Sequence, residues 1–218
     1  MKKKKLEILY EDKFVIVVNK PSNLLTVATE KEKDRTLFKY VFEYLKQKNK
    51  NNKVFIVHRL DKDTSGIVIL AKDEKTKFFL QDNWDKFKRN YVAIVNGKVE
   101  KSKGVIKSYL QETKTHLTYS VNDKNGKLAI TEYEKILENK QYTMLSLNLK
   151  TGRKNQIRVQ LADMGNPIVG DKKDGIKKDP IRRMALVANT LEFIHPKTKE
   201  KVVIDIDIPN SFINLVSK

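Results

Sequence analysis

The chain has no cysteine and three histidines, and the spacings that could do chemistry fall in a few short stretches. One stretch, His58-Arg59-Leu60-Asp61-Lys62-Asp63-Thr64-Ser65-Gly66, combines two carboxylates, two hydroxyls and an arginine. Asp61-x-Asp63-x-Ser65-Gly66 has the spacing of the first half of an EF-hand calcium loop. Such a loop needs a bidentate glutamate at its twelfth position and flanking helices. Lys72 stands at that position, and the flanks read as strands. Gly170 and Gly175 have P-loop spacing, but Ile176-Lys177 replaces the required Lys-Ser/Thr. There is no Gly-x-Ser-x-Gly elbow. With no cysteine, and three histidines outside HExxH spacing, neither a disulfide framework nor a metal centre is expected. Taken alone, Asp61 reads as a turn aspartate.

The elements that must position these residues follow from apolar periodicity. Leu6 and Ile8, then residues 14–18, predict two strands joined at Glu11-Asp12-Lys13, and Pro21 closes the second. Leu37, Val41, Tyr44 and Leu45 predict a helix over 36–48 capped by Thr36. Residues 54–57 and 67–70 read as strands on either side of the Asp61 stretch. Asp73 caps a helix bearing Phe78, Phe79 and Trp84. Residues 91–95 form a strand stopped at Asn96-Gly97. Asn125-Gly126 is a hairpin signal, and longer strands follow near 128–137 and 141–149. A helix near 154–164 carries Ile157, Leu161 and Met164 on one stripe, and Gly165-Asn166-Pro167 ends it. The end, 184–208, reads as paired strands turning at His195-Pro196-Lys197-Thr198. Many strands with a few interspersed helices imply a mixed α+β fold. At 218 residues the chain is one domain, or two lobes sharing a sheet.

Four stretches are far more specific together than singly. They are Val17-Val18-Asn19-Lys20-Pro21, the Asp61 stretch, Tyr91-Val92-Ala93-Ile94-Val95-Asn96-Gly97, and Thr151-Gly152-Arg153-Lys154-Asn155-Gln156-Ile157-Arg158. They resemble, in order, the RluA-type family of RNA pseudouridine synthases, whose HRLDxxTSG signature stands intact at 58–66. Residues 126–131, 165–171, 183–186 and 195–198 extend the resemblance over nearly the whole chain. It implies a predominantly antiparallel mixed sheet flanked by helices, with an active-site cleft across the sheet. It further implies a single catalytic domain over 8–218 after a basic tail at 1–7, with no S4 domain.

The resemblance also implies a reaction: isomerisation of uridine in RNA without cofactor or metal. It makes Asp61 the nucleophile, Arg158 the arginine beside it, and Tyr91 the ring placed against the flipped uracil. A carboxylate can form a covalent intermediate, and a cation keeps it ionised when buried. On the helix Arg158 shares a face with Ala162, whose small side chain permits close approach. Arg59 is expected to enter the RNA stack vacated by the target base. Ile157 and Leu161 read first as core with Met164, and second as uracil-contacting residues. His58, Leu60, Thr64, Ser65 and Gly66 are expected to support the Asp61 loop, and Lys20-Pro21 to shape a turn near it. His58 and His195 read as structural. The chain departs from the family pattern at Asn155, Gln160, Asn166, Asp174 and Val187, which bears on pocket packing and substrate choice.

Charge points the same way. There are 45 Lys+Arg against 27 Asp+Glu, a formal net charge of +18, with only seven arginines. Such an excess suits a polyanion such as structured rRNA or tRNA. No apolar run reaches the length needed to span a bilayer, and no secretory signal is visible, so a cytoplasmic monomer is expected. A non-catalytic RNA-binding or ribosome-assembly factor on the same fold is the alternative. A metal-dependent nuclease would need a convergent acidic cluster that the sequence does not show.

Overall fold

The computed structural model describes residues 6–115, 117–122, 125–175 and 180–217. Lys2–Lys5 of the expected tail lie outside the described residues, as does the 176–179 stretch. In chain order the elements are β1 (Glu7–Glu11), β2 (Val15–Lys20), α1 (Leu37–Lys48), β3 (Phe55–Ile56), β4 (Ser65–Ala71), α2 (Glu74–Asp82), a 3-10 turn (Trp84–Lys86), β5 (Lys88–Asn96), β6 (Lys103–Glu112), β7 (Thr118–Val121), β8 (Lys127–Glu138), β9 (Tyr142–Leu149), α3 (Gln156–Asp163), β10 (Leu186–Ile194), β11 (Lys201–Asp205) and α4 (Asn210–Val216). Two compact units result. One comprises Met1–Phe87 with Thr190–Ile206, the other Lys88–Asn189 with Asp207–Lys218.

In the first unit β2 pairs antiparallel with β1 on one side and β4 on the other. Both β2 and β4 are near-continuous apolar runs because they are buried on both faces; every residue of β4 is buried. Val15, Val17, Ile67 and Ile69 share a core with Leu80, Phe87, Leu191 and Phe193. Helix α1 begins where the Thr36 hydroxyl accepts the Lys39 N–H, and α2 where Asp73 accepts the Thr76 N–H, as the caps predict. Of the aromatic residues on and after α2, Phe78 is 54% exposed, whereas Phe79 and Trp84 pack against the core of this unit. β3 is only two residues long and pairs with the far end of β4. The chain between them, 57–64, leaves the sheet as a loop, and Asp61 sits on it.

The second unit is an antiparallel sheet in the order β5-β9-β8-β6-β7. The Asn125-Gly126 hairpin expectation is corrected here. β6 pairs with both β7 and β8, so these residues lie in the β7–β8 connection rather than in a two-residue hairpin turn. The glycine is required for a different reason: a Cβ on Gly126 would lie 2.7 Å from the Val121 side chain and 2.9 Å from Tyr109 Cβ. Helix α3 packs Val159 against Leu110 of β6 and Ala129 of β8. Residues 156–161 are all buried, including Gln156, Arg158 and Gln160, so α3 is not amphipathic. Helix α4 was not predicted from the sequence; it buries Phe212 and Val216. The α+β expectation is met, with mostly antiparallel pairing and four α-helices among the described residues. Among those residues no helix is long and apolar enough to cross a membrane.

Candidate active site

The first unit carries Arg59, Asp61 and the rest of the signature loop, and the second carries Tyr91, Ile157, Arg158 and Leu161.

The loop of Asp61 is pinned to the strand that precedes it in sequence space by some forty residues. Lys20 ends β2 with a fully buried side chain, and its Nζ donates to the carbonyls of Leu24 (2.7 Å), Pro21 (3.2 Å) and Lys62 (3.2 Å). A buried ammonium loses hydration worth several kcal/mol, so its hydrogen bonds must be in place for the fold to tolerate it. The Ser22 hydroxyl donates to the Asp63 carbonyl at 2.7 Å. The Thr26 hydroxyl donates to the Leu60 carbonyl at 2.6 Å and accepts the Leu60 N–H at 3.2 Å. Asp61 is therefore bracketed by a clamp on the residue before it and another on the residue after it. Upstream, His58 Nε2 accepts the Ile69 N–H of β4 at 3.2 Å, and its ring stacks on Trp84 with centroids 4.1 Å apart. Leu60, Thr64 and Ser65 are buried, whereas Asp61 is half-buried and Arg59 exposed. The Arg59 guanidinium has no hydrogen-bond or ion-pair partner among the described residues.

His195 is structural in its geometry. Its Nδ1 accepts the Thr198 N–H at 3.1 Å, and its Nε2 lies 2.7 Å from Asp12 Oδ2. This joins the turn after β10 to the turn between β1 and β2. Burial would raise the Asp12 carboxyl, but the N–H groups of Val15 and Phe14 and the His195 ring together hold it below its ordinary value.

In the second unit Tyr91 lies half-buried on β5, opposite Leu147 of β9. Strand alternation puts it on the face opposite Asn90. Arg158 lies one turn into α3, almost wholly buried, and is gripped by Asp171. Its Nε donates to Asp171 Oδ2 at 2.7 Å and its Nη2 to Oδ1 at 2.5 Å, a two-pronged pair. Asp174 Oδ2 approaches the same Nη2 at 3.3 Å. Burial alone would raise the Asp171 carboxyl; the guanidinium and the N–H groups of Lys173 and Asp174 outweigh it and hold the pKa low. Asp174 is pushed up, first by burial and then by repulsion from Asp171.

Asp171 reaches Arg158 because the 168–171 segment is laid along β5. Val169 N–H donates to the Ile94 carbonyl (2.9 Å), and Ala185 N–H to the Val169 carbonyl (2.8 Å). Gly170 turns between them at φ +77°, where a Cβ would lie 2.0 Å from the Arg183 carbonyl oxygen. Only glycine satisfies both the dihedral and the space. Asn155 precedes α3 in the left-handed region, at φ 53°, and its Oδ1 accepts from Arg158 Nη1 at 3.2 Å. Gln156 and Gln160 fasten the helix to the sheet. Gln156 Nε2 donates to Thr131 Oγ1 (2.9 Å) and the Ile130 carbonyl (3.1 Å), while its Oε1 accepts the Arg153 N–H (2.9 Å). Gln160 Oε1 accepts the Thr131 hydroxyl at 2.6 Å. Ile157 is 5% exposed and Leu161 wholly buried. Among the described residues no group of three or more His, Asp or Glu is placed to hold a metal ion.

The RNA pseudouridylate synthase family model matches residues 14–163. The chain belongs to this family. It is 34% identical over 214 residues to the uncharacterized RNA pseudouridine synthase YhcT of Bacillus subtilis, covering 96% of this chain and 71% of that protein. It is also 34% identical over 222 residues to the ribosomal large subunit pseudouridine synthase D of Borreliella burgdorferi, covering 97% of this chain and 68% of that one. Among solved structures, human RNA pseudouridylate synthase domain containing 4 superposes with a TM-score of 0.80 at 22% identity, over 95% of this chain and 90% of that one. The fold is thus the pseudouridine synthase fold, and the RluA-type resemblance holds.

Within this pseudouridine synthase, sequence reasoning missed four supports: Asp171, Thr26, Ser22 and the stacking of Trp84 on His58. Asp171 closes the 165–171 stretch that carries the resemblance, but nothing in the sequence signals that its carboxylate pairs with Arg158. Asn155, Gln160 and Asn166 stood out as departures, yet each is committed to hydrogen bonds. Asn166 Nδ2 donates to the Asn96 carbonyl at 2.9 Å.

Proposed function

We propose that this pseudouridine synthase isomerises particular uridines in structured RNA, with Asp61 as nucleophile and no cofactor. The observation that carries the reading is the Asp61 loop. Hydrogen bonds from Thr26, Lys20 and Ser22 hold its backbone at Leu60, Lys62 and Asp63, and the adjacent Arg59 is exposed, with no partner among the described residues. Preorganisation of this kind is what a nucleophile requires.

The net reaction breaks the N1–C1′ bond, turns the uracil, and forms the C5–C1′ bond. The C5 proton leaves to solvent and N1 gains one, so atoms balance without redox chemistry. Arg59 fills the stack that the flipped nucleotide leaves. Tyr91 offers its ring to the uracil and its hydroxyl for proton movement. Arg158 provides the guanidinium that offsets negative charge during the reaction, held rigid by Asp171. Ile157 and Leu161 shape the apolar wall behind it. Relatives named as ribosomal large subunit synthases favour rRNA over tRNA as the substrate.

The test is a pseudouridine map of cellular RNA with and without the gene. Loss of one or a few rRNA pseudouridines, restored by the wild-type gene, is expected. An unchanged map would overturn the proposal, and full restoration of cell growth by Asp61→Asn would favour the non-catalytic alternative.

A further inference from the structure

We infer that a cavity of the second unit, between the β6–β7 end of the sheet and the 152–154 loop, binds the sugar–phosphate backbone of the RNA and is coupled to Arg158. The inference rests on the RNA reading above and adds a site to it.

The cavity measures about 440 Å³, and its walls include Glu112, Thr118, Lys127, Gly152, Arg153 and Lys154. That volume falls in the range of ligand pockets and accommodates a nucleotide. Its charge is lopsided. Lys154 is paired with Glu112. Lys127 and Arg153 are left over, both exposed. Arg153 is not loose: its Nε donates to the Leu128 carbonyl at 3.0 Å, which fixes the guanidinium plane. Its two Nη groups and the Lys127 ammonium have no partner among the described residues. A planar fork beside a second cation is the donor set that suits a phosphodiester. The other large cavity of this unit, about 540 Å³ on the sheet face, sets Lys88 and Lys103 against Glu132 and Glu134. Its charges cancel, so a polyanion gains nothing there.

The coupling runs through Asn155. Its Nδ2 donates to Thr118 Oγ1 in the cavity wall at 3.4 Å, and its Oδ1 accepts from Arg158 Nη1 at 3.2 Å. Thr118, in the same wall as Lys127 and Arg153, therefore lies two hydrogen bonds from Arg158. Backbone contacts of this kind set register without reading sequence.

The experiment measures affinity for a fluorescein-labelled U20 oligonucleotide by anisotropy between 50 and 200 mM KCl. The variants are Lys127→Ala/Arg153→Ala and, as an equal-charge control, Lys88→Ala/Lys103→Ala. Removing two phosphate contacts lowers the slope of log K against log salt by about 1.4 and weakens binding roughly tenfold or more near 0.1 M salt. The control pair is expected to change neither appreciably. Glu112→Gln, which removes the cavity's acidic group, is expected to tighten binding. Equal losses in both double variants would show diffuse attraction and overturn the subsite, as would an unchanged slope in Lys127→Ala/Arg153→Ala. Because the readout is binding alone, it decides the subsite even if the wild-type protein forms no pseudouridine.

Discussion

Replacing Asp171 by asparagine should expose how Arg158 is held. The two side chains are 5% and 1% exposed, and two charge-assisted bonds of 2.7 and 2.5 Å join them. Asparagine keeps the volume and one acceptor oxygen, but it removes the charge and turns an N–H₂ group toward the guanidinium. Breaking a buried pair from one side costs about 3–5 kcal/mol, because a charge stays buried without its partner. Asp174 stands 3.3 Å from the same nitrogen and is one-third exposed, so it offsets part of the loss. The lower end, about 3 kcal/mol, is the expectation. In a chain of this size that lowers Tm by about 6–12 °C. Thermal and urea unfolding followed by circular dichroism measure it. Replacing both partners, Arg158→Met with Asp171→Leu, should recover most of the stability while abolishing activity, since a well-packed apolar pair is often neutral in stability. The sign with pH is fixed by the depressed carboxyl. Its contribution is present above the ordinary value of 3.8 and is lost as pH falls through the folded value. The gap between wild type and Asp171→Asn must therefore narrow below about pH 4. A loss under about 1 kcal/mol, or a gap that widens in acid, would refute the reasoning.

Two further outcomes follow from the loop clamp and from Glu11. Thr26→Val strips the buried Leu60 N–H and carbonyl of their partner; it should cost about 1–3 kcal/mol in urea unfolding and lower kcat more than it raises KM. Glu11, bound by Lys72, Lys48 and Tyr44 against the opposing effect of burial, has its pKa lowered from 4.5 to about 2. Its stabilisation is present above about pH 4.5 and lost toward pH 2, so Glu11→Gln should flatten the acid limb of the stability curve over that window.

Much of the frame was legible because it depends on local pattern. The apolar runs of β2 and β4, the Thr36 and Asp73 caps and the long strands β8 and β9 follow from periodicity and capping chemistry. The signature stretch at 58–66 located the loop of Asp61. Polar pairings distant in sequence were not legible. Nothing in the periodicity around Lys20 announces that its ammonium reaches the Lys62 carbonyl, or that Thr26 brackets Leu60. The apolar stripe Ile157, Leu161 and Met164 marked helix α3 but gave no role to Gln156 and Gln160. In the structure both are buried, with bonds to Thr131. Asn125-Gly126 misled because the dipeptide favours a hairpin locally, whereas β8 pairs with β6 and not with β7. At Asn155 and Gln160 departures from the family pattern suggested altered packing, and the structure gives each a defined partner.

The central claim is that Asp61 is the nucleophile of uridine isomerisation. Its most direct test is tritium release from rRNA transcripts labelled at uridine C5, comparing wild type with Asp61→Asn. The wild-type protein should release tritium to water, and Asp61→Asn should release none above background while binding the same RNA with an affinity within about threefold, a difference of under 1 kcal/mol. Release by Asp61→Asn at the wild-type rate would contradict the account.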